Sequence, residues 1–290
     1  MHIPFSIEDV HHALTNVPHN ERLNWLKQKL EEIPDIEERN KFQVELLMSF
    51  ALGLPTPTPK VVVLIHGIRT RAVWQDVVAH ELRKHPNVHV YLIKYGRLDL
   101  FRFWFPFFFR GKPVARVLRE LRGIRALHKS ADISVLAHSF GTYIITKILK
   151  TQPDVELRHL LLCGSVVDNA FAWDALAKFP SGGVLNDVGT KDMLPALAKM
   201  SSWGYGATGT FGFGTHKVVD RYHSLGHSGF FEPEHINTYW IPYFLTDAVV
   251  ESEWSHQRPS PSGWLSFAES VPIKTLLLVI CISASFMLLG

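Results

Sequence analysis

Two cysteines in 290 residues, Cys163 and Cys281, are too few for a disulfide framework, which excludes the small secreted scaffolds that cross-links hold together. Charge is scarce as well. Only 20% of residues are charged, the formal balance is +3, and the basic residues are scattered rather than blocked, so the pattern excludes a nucleic-acid-binding surface. The first residues lack the basic-then-apolar order of a secretory signal, and the body of the chain is expected in a reducing cytosol. With 47% hydrophobic residues the chain is expected to fold, as one sizeable α/β domain with a small appendage.

Helical signals come first. Ser6-Ile7-Glu8-Asp9 has the form of a capping box, Asn20 is placed to cap a second helix, and Asp35 a third reaching residue 52 before Gly53. Leu23, Leu26, Leu30 and Ile33, then Phe42, Leu46, Leu47 and Phe50, recur at three and four, the spacing of a helix face packed on a neighbour. This module is expected either to cap the main domain or to recruit a protein partner. Leu54-Pro55-Thr56-Pro57-Thr58-Pro59 follows as a stiff connector.

Apolar runs then alternate with helical segments. Strands are predicted at 61–65, 88–93, 133–138, 157–167, 183–188 and 217–222, and helices at 74–83, 114–128, 142–149 and 234–250. This is the rhythm of a parallel sheet with crossover helices. Within it, Ile133-Ser134-Val135-Leu136-Ala137-His138-Ser139-Phe140-Gly141-Thr142 runs from a buried strand into a helix, and Ser139 falls on the turn. A turn that tight needs small residues two places either side, and Ala137 and Gly141 meet that demand.

The pattern resembles the G-x-S-x-G nucleophile elbow of the α/β-hydrolase family, with alanine in place of the first glycine. The resemblance spans residues 61–250 and is closest to the lipase and serine-esterase branches. It implies a reduced α/β-hydrolase sheet, since the helical module occupies the place of the family's two leading strands. Val61-Val62-Val63-Leu64-Ile65-His66-Gly67-Ile68 is similar to the family's strand and His-Gly loop, which makes the N–H groups of Ile68 and Phe140 the expected oxyanion hole. Ser139 is the expected nucleophile. The family order of serine, acid and histidine points to Asp192, after Asn186-Asp187-Val188-Gly189-Thr190-Lys191, and to His227 in the loop before the last helix. Asp168 and His223 are the alternatives, and Asp187 lies too close to the strand. No cofactor is expected, and His223 with His227 lacks a third metal ligand. The remaining histidines are expected mostly at the surface.

Two other patterns are read as ordinary structure. Gly204-Tyr205-Gly206-Ala207-Thr208-Gly209 spells G-x-G-x-x-G, but no strand precedes it and no helix is expected to follow, so it is read as a flexible loop. Glu232-Pro233-Glu234-His235 is read as a helix start.

Phe101 to Phe109 holds seven aromatics in nine positions, and Phe101, Trp104, Phe107 and Phe108 are expected to form a lid or a lipid-contacting wall near the catalytic face. Residues 273–289 are almost wholly apolar, about 26 Å long as a helix, and are expected to span a membrane after a Pro/Ser/Gly linker. The expected units are a helical module at 1–54, a linker at 55–60, a hydrolase domain at 61–252, a second linker at 253–270 and a transmembrane helix at 271–290. The function expected is cleavage of ester bonds, of lipid or phospholipid at a membrane, with the catalytic domain cytoplasmic. A thioesterase or amidase, and a non-catalytic membrane-anchored scaffold, are the rival readings.

Overall fold

The computed structural model describes residues 5–18, 20–51, 58–67, 73–95 and 110–254, with 260, 263, 264 and 267. Three helices open it, α1 (Ile7–Asn16), α2 (Arg22–Glu31) and α3 (Ile36–Ala51). Ser6 and Asp9 form the capping box, and Asp35 accepts from the Glu37 and Glu38 N–H groups at 2.9 and 3.0 Å. Asn20 caps nothing. The chain turns through Glu21 N–H to Pro18 O, and α2 starts after Glu21 with no side-chain cap.

The module has a core of its own, Ile7, Val10, Leu14, Ile33, Phe42 and Leu46, with Trp25, Leu26 and Leu30 against it. Leu23, Leu47 and Phe50, expected in the packed faces, are exposed, because three short helices share only one interior. The module meets the main domain through polar contacts, including Lys41 Nζ to the Arg83 and His85 carbonyls and Ser130 with Glu8.

The main domain runs β1 (Lys60–Ile65), α4 (Val73–Arg83), β2 (Val88–Ile93), α5 (Gly111–Leu127), β3 (Asp132–His138), α6 (Phe140–Thr151), β4 (Leu160–Cys163), β5 (Val184–Gly189), α7 (Leu194–Ser201), α8 (Thr208–Phe211) and β6 (Val219–His223). A helical run closes it: one α-turn (Pro233–His235), a π-turn (Ile236–Trp240) and α9 (Ile241–Thr246). The six strands form one parallel sheet in the order β2-β1-β3-β4-β5-β6, the reduced sheet the sequence implied. Alternation sorts the strand residues onto two layers. Val61, Val63, Ile65, Val135 and Ala137 pack with Val117, Leu121, Ile144 and Ile148 of α5 and α6, while Val62, Leu64, Leu136, Leu161 and Leu185 pack with Val78 and Leu82 of α4 and with Trp240 and Phe244.

Several elements are shorter than predicted. β4 ends at Cys163 rather than 167 because Gly164 turns the chain at φ 54°. The last helix stops at Thr246 rather than 250 because Asp247 takes a left-handed conformation, φ 60°, where its carboxylate meets Arg158 and His159. The elbow helix is longer and begins at Phe140, immediately after Ser139. Among the described residues no helix is long and apolar enough to cross a membrane, and the predicted span at 273–289 lies outside them, as do Ile68, the aromatic segment 101–109 and residues 52–57 of the connector.

Candidate active site

The chain leaves β1 for β2 on one side of the sheet and returns to β3 on the other, so the order reverses between β1 and β3. At such a switch point the loops from the strand ends diverge and leave a crevice. Ile65 pairs with Ala137, which puts His66-Gly67 and His138-Ser139 side by side at its mouth. Ser139 stands there at φ 55°, ψ −125°, a conformation that L-residues avoid and a tight strand-to-helix turn imposes. Its N–H donates to Cys163 O at 3.1 Å, and its carbonyl accepts from the Thr142 N–H and hydroxyl at 2.9 and 2.6 Å. The Thr142 hydroxyl also accepts from the Val166 N–H at 3.1 Å, which ties the elbow to the turn after β4.

Close packing fixes the glycines here. A Cβ on Gly67 would lie 2.6 Å from Ser139 Cβ, and one on Gly141 would lie 2.5 Å from Ile65 O. Phe140 stands in the first turn of α6, where N–H groups are not used by the helix ladder. Its buried ring sits among Tyr95, Tyr143 and Tyr205.

The loops after β5 and β6 run together. Thr190 N–H donates to His223 O at 3.0 Å and Lys191 N–H to Leu225 O at 3.1 Å, extending the β5–β6 pairing beyond the strands. Asp192, fully buried, therefore faces His227: His227 Nδ1 donates to Asp192 Oδ2 at 2.7 Å, and Leu194 N–H to Asp192 Oδ1 at 3.0 Å. A carboxylate only accepts, so Nδ1 carries the proton and Nε2 of the neutral ring is left as a base. The alternatives lie elsewhere. His223 Nε2 is 3.4 Å from Asp187 Oδ1, and the Asp168 carboxylate accepts the Ala170 N–H at 2.9 Å.

The His227 ring packs on His138, centroids 4.4 Å apart, and on Gly164, where a Cβ would come within 2.8 Å of Cε1. His138 Nε2 donates to the His227 carbonyl at 3.1 Å. Burial, then the neighbouring His227, hold the His138 imidazole well below its ordinary range, so it supports His227 as a neutral ring. His138 directly precedes Ser139, and in this way the Asp192–His227 pair reaches the elbow.

Other residues were not foreseen from the sequence. Asp187 is buried and accepts from Arg221 Nε and Nη2 at 2.7 and 2.9 Å and from Trp240 Nε1 at 2.6 Å, with His235 at 3.4 Å. Burial opposes its charge, but Arg221 and the histidines hold its carboxyl well below the usual range. Asp187, His223 and His235 are near enough to resemble a metal site, yet Arg221 already occupies both carboxylate oxygens. His235 is thus a buried partner rather than only part of a helix start, and His66, His128, His138 and His159 are buried too, exceptions among the histidines expected mostly at the surface, where His11, His12, His80, His85, His89 and His216 are at least partly exposed. The Gly204–Gly209 pattern is likewise no flexible loop. A Cβ on Gly206 would lie 2.2 Å from Val167 O and one on Gly209 2.2 Å from Ser165 N, so it is pressed onto the chain after β4 and opens the short α8.

A cavity of about 330 Å³ lined by Glu38, Lys41, Phe42, Arg83 and Tyr91 lies between the helical module and β2, and it includes none of Ser139, Asp192 and His227.

No family model matches the chain, and no curated protein does. Solved structures are similar to it at a distance. A cold-adapted esterase from an Arctic intertidal metagenomic library, in a PEG-bound complex, is 16% identical with a TM-score of 0.47 over 64% of this chain and 83% of that one. An α/β serine hydrolase without a lid from Xanthomonas campestris is 12% identical, TM-score 0.41, over 62% and 78%. An α/β serine hydrolase homologue from Coxiella burnetii is 15% identical, TM-score 0.38, over 61% and 81%. At these identities and TM-scores the likeness is distant, and the chemistry follows from the chain's own residues.

Proposed function

We propose that this chain is a serine hydrolase that cleaves carboxylic esters. The observation that carries the reading is the Nδ1-to-Asp192 hydrogen bond at 2.7 Å on a histidine packed against the elbow of a strained serine. In the reaction, His227 Nε2 takes the Ser139 proton as Oγ attacks the ester carbonyl carbon. Asp192 holds the ring in the required tautomer and stabilises the imidazolium. The N–H groups of Phe140 and Ile68 receive the developing oxyanion. His227 then protonates the leaving alcohol, and water, activated by the same ring, releases the acid and restores Ser139.

The substrate we favour is lipid. Met193, the N-cap of α7, follows Asp192 and is exposed, as are Leu194 and Leu197 within the helix and Trp203 just beyond it, with Lys191 two residues before Met193. An apolar face with a cation at its rim suits an acyl chain or a bilayer surface. The aromatic residues 101–109 are a second candidate for lipid contact by their composition, and residues 271–290 would tether the domain to a membrane with its catalytic part in the cytosol.

Labelling with a fluorophosphonate probe tests the chemistry, since only an activated serine reacts. The wild type should label and Ser139→Ala should not; equal labelling of both, or none of either, would overturn the reading and favour a non-catalytic scaffold. For the substrate, Leu194→Ser with Leu197→Ser should lower hydrolysis of vesicle lipid several-fold while leaving a short soluble ester within about twofold. Equal effects on both would remove lipid from the proposal.

A further inference from the structure

β2 lies beside β1 with Ile93 opposite Ile65, and continuing that register by two residues sets Tyr95 beside Gly67. Tyr95 is buried. Its ring stacks on His66 with centroids 4.3 Å apart and planes 6° apart, and its hydroxyl donates to the His66 carbonyl, with the Gly67 carbonyl at 3.2 Å. The ring also meets that of Phe140 edge-on, centroids 6.4 Å apart. One side chain therefore touches both arms of the crevice, the loop after β1 and the first residue of α6.

We propose that Tyr95 is a positioning residue for the oxyanion hole, an inference that rests on the serine-hydrolase reading above. A planar trans peptide sends its N–H the opposite way from its carbonyl. A hydroxyl bonded to the His66 carbonyl, with that of Gly67 beside it, therefore anchors the root of the loop after β1, the loop the mechanism uses. The ring sets the spacing to Phe140, which supplies the second donor. Preorganisation is what gives such donors their worth, because they then need no rearrangement as charge develops. Burial, with Tyr205 nearby, pushes the phenol well above its ordinary value, so it remains a proton donor throughout the neutral range. His66 assists from the other side: its Nδ1 is 2.6 Å from Gly67 O.

Tyr95→Phe removes the hydroxyl and keeps the ring. On a short soluble ester its kcat should fall about ten- to a hundredfold, short of the loss of a whole donor, with KM within about twofold. The decisive readout is the ratio of kcat/KM for an ester to that for its thionoester, in which sulfur replaces the carbonyl oxygen. A well-set oxyanion hole favours oxygen, so the ratio should fall several-fold in the variant. The folded fraction cancels in that ratio, so a loss of stability alone leaves it unchanged. Tyr91→Phe is the control, because Tyr91 lies on the same strand and its hydroxyl bonds His128 at 2.7 Å; it should leave the ratio as in the wild type. An unchanged kcat in Tyr95→Phe, or a lower kcat with the wild-type ratio, overturns the proposal. A wild type that neither labels nor hydrolyses any ester would instead mark failure of the serine-hydrolase reading itself.

Discussion

His227 and Asp192 share a 2.7 Å hydrogen bond, and the other oxygen of the same carboxylate is held by the Leu194 N–H at 3.0 Å. The acid is thus fixed from both sides before it orients the imidazole. Asp192→Asn keeps the shape but presents an amide that can donate to Nδ1 and select the wrong tautomer. Turnover of a soluble ester should fall about 10⁴-fold, as such changes do in serine proteases. Asp168→Asn, whose carboxylate only caps a local turn, should stay within about threefold. Steady-state kinetics of the two variants decide between them, and the reverse ranking would move the acid to the loop after β4.

Gly164, at φ 54°, leaves no room for a side chain beside the His227 ring. Gly164→Ala places a methyl group 2.8 Å from Cε1 and 2.9 Å from Nδ1, and it strains the backbone as well. The expected result is a loss of kcat of at least about tenfold with the Michaelis constant nearly unchanged, since the base shifts while the substrate surface stays. Unchanged kcat would mean that His227 is not held at the position the packing implies.

Burial lowers the titration range of His66, His138, His159 and His235. For a base with a depressed folded pKa, the unfolded chain takes up protons first, so stability is full above the unfolded value and declines as pH falls below it. The unfolded value for histidine is about 6.5. The urea midpoint should therefore drop steadily between pH 7 and pH 5, and His138→Gln should flatten that slope. A midpoint that rises toward pH 5 would contradict the burial of these rings.

Asp187 and Arg221 form a bidentate ion pair with both side chains almost wholly buried. Asp187→Asn leaves the guanidinium without its counter-charge and should cost about 3–5 kcal/mol in chemical denaturation. Asp187 also contributes acid sensitivity of its own. Its folded pKa is depressed, so its stabilisation is present above about pH 4 and is lost as pH falls below that toward its folded value. A loss under about 1 kcal/mol in the variant would mean that water reaches this cluster.

Legible in the chain alone is whatever depends on near neighbours. The short apolar runs Val61 to Ile65 and Ile133 to His138 specified buried parallel strands, the Ser6 and Asp35 caps specified helix starts, and Ala137 and Gly141 marked the tight turn at Ser139. Asp192 and His227 were legible as loop residues following strands. Their hydrogen bond, between positions 35 residues apart, is a product of β5–β6 pairing. The tertiary structure alone decided that His138 braces His227, that Tyr95 grips the loop after β1, and that Asp187 is enclosed by Arg221, His235 and Trp240. No local pattern marks these residues, because the cost of burying a polar group is offset only by partners that the sheet order brings from distant segments. The same reason explains the Gly204–Gly209 pattern: its glycines answer to the backbone after β4, a neighbour in space that the chain reaches only once folded.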